Sequence, residues 1–146
     1  MSKTEIVSSL NQLLADYSVL YQKLRGYHWN VTGPQFFTLH QQFEVLYLAT
    51  AVRVDDLAER VLTLGGHPHG TMQEMLSNAR LEEQPVSHAN DMVANIVADY
   101  DRLDGWLKAL SAVAGDAHDT GTVSLVDELT TVQQKEAWML RAFLNA

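Results

Sequence analysis

Five polar residues interrupt otherwise apolar helical stretches: His28, His40, Glu44, Asp55 and Glu59. Imidazoles and carboxylates bind metals. A set of two imidazoles and three carboxylates with no sulfur suits ferrous or other first-row ions better than calcium or copper(I). His40 and Glu44 are four residues apart, as are Asp55 and Glu59. An i, i+4 pair lies on one helix face, so each pair can direct two side chains at one ion. Glu44 and Asp55 are eleven residues apart. That is close to three whole turns, so both pairs point the same way but are roughly 16 Å apart along the axis. Metal–ligand bonds of about 2 Å cannot bridge that gap within one helix.

One solution is a twofold dimer. If two copies of the helix pack antiparallel, His40 and Glu44 of one meet Asp55 and Glu59 of the other, giving two equivalent sites. The midpoint falls at Ala49, Thr50 and Ala51, whose small side chains would let the helices approach closely. The competing reading is that Asp55, Glu59 and Arg60 form an ordinary solvated face, since a lone His on a helix is usually not a ligand.

The elements that must position these residues are helices. Ile6, Leu10, Leu13, Leu14, Tyr17, Leu20, Tyr21 and Leu24 recur at helical spacing, which predicts a first helix from about Thr4 to Val31, stopped by Gly33-Pro34. A second runs from about Gln35 to Leu64 and ends at Gly65-Gly66 with Pro68. Met72, Met75 and Leu76 suggest one short helix in the connection that follows. A third long helix follows Pro85 and Ser87, and a fourth carries Val123 to Leu144, with Gly115 and Gly121 bracketing the turn between them. The expected fold is all-α: a ferritin-like four-helix bundle in which the long connection lets helices 2 and 3 run parallel, with the short extra helix inside it.

Composition narrows the function classes. A chain of 146 residues fits one domain, residues 1–146, with a sizeable core. The absence of cysteine removes disulfide scaffolds, thiolate zinc sites and Cys nucleophiles. The net charge of −8 repels nucleic acid and attracts cations, although solubility alone accounts for such acidity. The basic residues are scattered and form neither tail nor stripe. No apolar run reaches membrane-spanning length, and Met1 to Leu10 lacks the features of a signal peptide. The expectation is a soluble, cytoplasmic protein.

At the candidate ligands the sequence closely resembles the Dps family, the ferritin-like proteins of starved cells. The matching strings are His28-Trp29-Asn30-Val31-x-Gly33, then Phe37 and His40, then Asp55-x-x-Ala58-Glu59-Arg60, then Gly65-Gly66-x-Pro68. Ala137 to Ala142 resembles the family's closing segment, so the likeness spans His28 to Phe143. It implies a homododecameric hollow shell with ferroxidase centres at twofold interfaces. His28, His40 and Glu44 would come from one subunit and Asp55 and Glu59 from its partner, with two iron positions per centre. It also implies oxidation of iron(II), usually with hydrogen peroxide preferred over dioxygen, and storage of ferric mineral. Many members carry Asp where Glu44 stands. Trp29 matches a tryptophan beside the centre, where interface packing explains it as well as any redox role. Asp119 and Glu128 match acids of the family's threefold pores, but Ser124 replaces a third.

Family DNA binding commonly uses a Lys-rich mobile tail. Met1-Ser2-Lys3 and Leu144-Asn145-Ala146 carry none, so direct DNA binding is not expected at neutral pH. Protection of DNA by removing iron and peroxide remains compatible. An intra-subunit di-iron centre needs Glu-x-x-His pairs, and no Glu here has His three positions on. The alternative is a non-catalytic shell or DNA-compacting protein, which the five filled ligand positions argue against. His67, His69, His88 and His118 match no family ligand, and His67-Pro68-His69 reads as an exposed loop. Arg25, one turn before His28, is placed to pair with a site carboxylate.

Overall fold

Helical periodicity is realised in five helices: α1 (Ser2–Asn30), α2 (Phe36–Thr63), α3 (Met72–Asn78), α4 (Ala89–Asp116) and α5 (Thr120–Leu144). The computed structural model describes residues 2–145. Met1 and Ala146, the outermost residues of the two ends read for a basic tail, lie outside them. The apolar stripe of α1 is buried except at the half-buried Tyr21, with Leu10, Leu20 and Leu24 wholly inaccessible. Each such side chain contributes about 1.5–3 kcal/mol by leaving water.

α1 pairs most extensively with α2, and α4 with α5, while α1 also packs on α4. Tyr21 faces Tyr47 and Tyr27 faces Phe43, so α1 and α2 run in opposite directions. Lys23 bonds Asp99 and the Tyr27 hydroxyl lies near Asn95, so α1 and α4 also oppose. α2 and α4 therefore run parallel, as the long connection between them requires. That connection is tied down by two buried polar residues of α1. Asp16 accepts from the backbone N–H of Arg80 and Leu81 and from the Arg80 guanidinium. The Asn11 side chain donates to the His67 carbonyl and accepts from the His69 N–H. The His67–His69 segment is thus held to the bundle rather than free.

Helix ends follow local chemistry. Gly65, at φ 83°, ends α2 with Gly65 N–H donating to Leu62 and Gly66 N–H to Val61. This paired bonding satisfies the orphan carbonyls of the last turn. α3 opens on a reciprocal Thr71–Glu74 cap. The end of α4 repeats the α2 pattern with a non-glycine residue: His118 takes φ 57°, while His118 and Asp119 N–H donate to Gly115 and Ala114. Gly115 and Gly121 bracket this turn, as expected. Both glycines lie inside helices, and the turn is made by Ala117, His118 and Asp119. The ends of α1 also shift by one or two residues from those read in the sequence, as fraying permits.

Candidate metal centre

The turn from α1 to α2 brings His28, in the last turn of α1, against His40, early in α2. Gly33 supplies the positive φ of 99° that this short turn uses. His28 Nδ1 is 2.6 Å from the His40 carbonyl oxygen, and His40 Nδ1 is 2.7 Å from that of His28. A carbonyl only accepts, so each Nδ1 carries a proton and donates, which leaves Nε2 as the nitrogen open to a metal. This is the outer bond that metal-ligating histidines make, and it fixes the tautomer. The two rings stack at 3.8 Å with 13° between planes.

Glu44, one turn beyond His40, reaches the same place, with Oε1 3.6 Å from His28 Nε2. Two ligands of a common ion, each about 2 Å from it, stand at about this separation. His28 and Glu44 thus approach one another, with His40 beside His28 in the ring stack.

Asp55 and Glu59 form a second group further along α2. They share it with Asp56, which the sequence reading missed: one oxygen from each of the three can lie within 4.8 Å of the others. The signal was available, since Asp56 and Glu59 are three residues apart on one face. All three are exposed. The chain does not bring them to the histidines; the gap along α2 stays at roughly three turns.

The surface between the groups differs from the small-residue contact anticipated at the midpoint. Thr50 is fully buried in its own bundle and donates to the Leu46 carbonyl. Outward stand Val45, Leu48 and Val52, all more than half exposed. An apolar stripe thus separates a nitrogen-rich group from an acidic one, and Trp29 (56 %) and Phe37 (84 %) are exposed as well.

The remaining candidates separate clearly. Asp119 caps α5: it accepts from Thr122 N–H, from the Thr122 hydroxyl and from Arg60 at 2.7 Å. Burial alone would raise its carboxyl, but these bonds outweigh it and hold the group below the ordinary range. Glu128 is exposed on α5. The Arg25 guanidinium sits about 5 Å from the rings of Tyr21 and Trp29 and bonds Gln22 rather than a site carboxylate. His88 occupies the start of α4 without a side-chain cap bond. Inside the bundle, Arg53 pairs with Glu136 at 2.7 Å, and the Tyr17 hydroxyl donates to Gln133. Arg53, Lys23 and Arg80 thus already pair the carboxylates of Glu136, Asp99 and Asp16. A cavity of about 850 Å³ between α1 and the connection holds none of the five ligands.

This is a ferritin-like bundle whose candidate ligands lie on its second helix and at the end of its first. The sequence matches the ferritin-like domain family model over residues 7–146. It is 43 % identical to DNA protection during starvation protein 2 of Bacillus anthracis over 142 residues, 97 % of each chain. A Dps crystal structure from Bacillus brevis superposes with TM-score 0.96 at 41 % identity, covering 98 % of this chain and 97 % of that one. A Vibrio cholerae Dps, described as a member of the ferritin-like diiron-carboxylate superfamily, gives TM-score 0.96 at 34 % identity, covering 98 % and 91 %. The chain belongs to the Dps family of ferritin-like proteins. No helix among the described residues is long and apolar enough to cross a membrane.

Proposed function

We propose that this chain, as a single ferritin-like domain, is an iron-storage and iron-detoxifying protein of the cytoplasm. Its ferroxidase centre is formed by His28, His40 and Glu44 of one subunit with Asp55 and Glu59 of another. The reciprocal histidine bonds support this reading most directly, because they occupy both Nδ1 atoms and leave Nε2 of each ring for an ion, that of His28 3.6 Å from Glu44. The apolar stripe of Val45, Leu48 and Val52 supplies the contact for an antiparallel partner, which brings each histidine group onto the other subunit's carboxylates. A closed shell of twelve subunits built on such dimers would store the product.

Iron(II) is the substrate. The imidazoles and carboxylates hold two ferrous ions side by side, and each ion gives one electron to the same hydrogen peroxide. The O–O bond breaks, two hydroxides form, and no hydroxyl radical is released. The protein contributes position and negative charge. DNA protection follows from removing both reagents. For iron entry, Asp119 is engaged by Arg60 and Thr122, so Glu128 carries the free negative charge of that pair.

The experiment is complementation. His28→Ala and Asp55→Ala homo-oligomers should each oxidise iron(II) with peroxide no faster than buffer. Unfolded, mixed equally and refolded together, half the dimers are mixed and each has one intact site, so about a quarter of wild-type activity returns. Refolded mixtures that stay inactive, although mixed oligomers form, would defeat the shared centre.

A further inference from the structure

Four rings stand in a row at the imidazole group. Phe36 stacks on His40 with centroids 4.9 Å apart and 20° between planes. His40 stacks on His28 at 3.8 Å. Tyr47 meets His28 edge-on at 5.4 Å and 76°. Tyr21 backs Tyr47 in turn, at 5.9 Å. Phe36 and Tyr47 are only partly buried and flank the core rather than fill it. They lie four residues before and seven after His40, on the same side of α2.

A hydrogen bond at Nδ1 fixes the tautomer and restrains the ring plane, but a single bond tolerates a spread of angles. The Cβ–Cγ torsion of histidine is broad, so within that tolerance the ring can still tilt and displace Nε2. A ring packed against the outer side of each imidazole removes that freedom. We infer that Phe36 and Tyr47 are positioning residues: they bracket the imidazole pair and set the plane in which each Nε2 is offered to a metal. This rests on the centre proposed above. Neither residue touches the ion, and each acts through a histidine. If they served only to fill space, leucine would replace them without loss, since it matches much of their volume but has no flat face.

The test uses the assembled protein with cobalt(II) alone, whose visible absorption reports its ligands, and no oxidant. Phe36→Leu and Tyr47→Leu should each bind the first cobalt about ten-fold more weakly, with an altered spectrum, at unchanged oligomer size and helix content. Phe36→Tyr and Tyr47→Phe keep the rings and should stay within about two-fold of wild type. Leucine variants with wild-type affinity and spectrum would overturn the inference. Should Tyr47→Leu fail to assemble, Phe36→Leu, at the first position of α2, decides by the same measure. His28→Ala separates the two levels. If it binds cobalt as wild type does, the proposed centre fails and this inference with it. If it loses binding while the leucine variants keep it, only the ring inference fails.

Discussion

His28 and His40 are each held by a backbone carbonyl on one side and aromatic rings on the other, whereas Asp55, Asp56 and Glu59 stand exposed on a single helix. The first group joins two helices through the turn at Gly33; the second belongs to α2 alone. The difference is one of preorganisation. The imidazoles are aimed before an ion arrives, because their bonds are part of the fold. The carboxylates can turn toward whatever charge approaches. A centre with one rigid and one adaptable half can take up ions and then accommodate the smaller, more highly charged product.

The strongest way to break this comparison is to keep the halves apart. Leu48→Glu puts a charge in the middle of the apolar stripe. It should abolish twofold pairing and lower iron oxidation by about 100-fold or more, while circular dichroism shows the helices intact. Light scattering and stopped-flow absorbance measure the two effects, and a monomer with wild-type activity would end the idea that the halves meet across subunits.

The next contrast is in stability. His28→Ala removes a buried ring, its bond to the His40 carbonyl and the face on which the His40 ring stacks, so it should cost about 2–3 kcal/mol in denaturant melts at fixed protein concentration. Asp55→Asn should leave the unfolding midpoint unchanged or raise it, because it relieves repulsion among three clustered carboxylates. Equal losses for both variants would erase the distinction between a structural half and an adaptable one.

A smaller effect tests what steadies the carboxylate half. Arg60 follows Glu59 and is clamped by Thr122 at 3.0 Å and Asp119 at 2.7 Å. The clamp closes over Gly121, where a Cβ would lie 2.6 Å from Arg60 Nη2. Gly121→Ala should therefore cost about 1–2 kcal/mol by displacing the guanidinium. The Asp119 carboxyl is held below its ordinary pKa in the fold. Its contribution is thus complete above the unfolded value of about 4 and is lost as pH falls through the lower folded value. Asp119→Asn should trail wild type by about 1 kcal/mol at pH 6 and converge with it below pH 4 in paired melts. A constant difference across that range would show that charge at Asp119 plays no part.

Much of this was legible in the sequence because it is local. Helical spacing located the four long helices and the short one, and Gly65-Gly66 marked the end of α2. Gly115 and Gly121 bracket the α4–α5 turn, but the left-handed position falls on His118 and the cap on Asp119, neither of which glycine spacing indicates. Thr50 was expected to face a partner because it is small, but a hydroxyl that bonds its own helix can be buried in the bundle instead. Asp56 was overlooked beside Asp55 although its spacing from Glu59 was as favourable.

By itself the sequence determined which groups can bind metal and that His40–Glu44 and Asp55–Glu59 cannot share an ion within one chain. Both follow from residue type and helix rise, which need no neighbours. Only the tertiary structure decided how the imidazoles are aimed, which face of α2 is left apolar and exposed, and that Arg60 is tied to Asp119. These depend on pairings such as His28 with His40 and Arg60 with Asp119, made between helices that meet only once the bundle has formed.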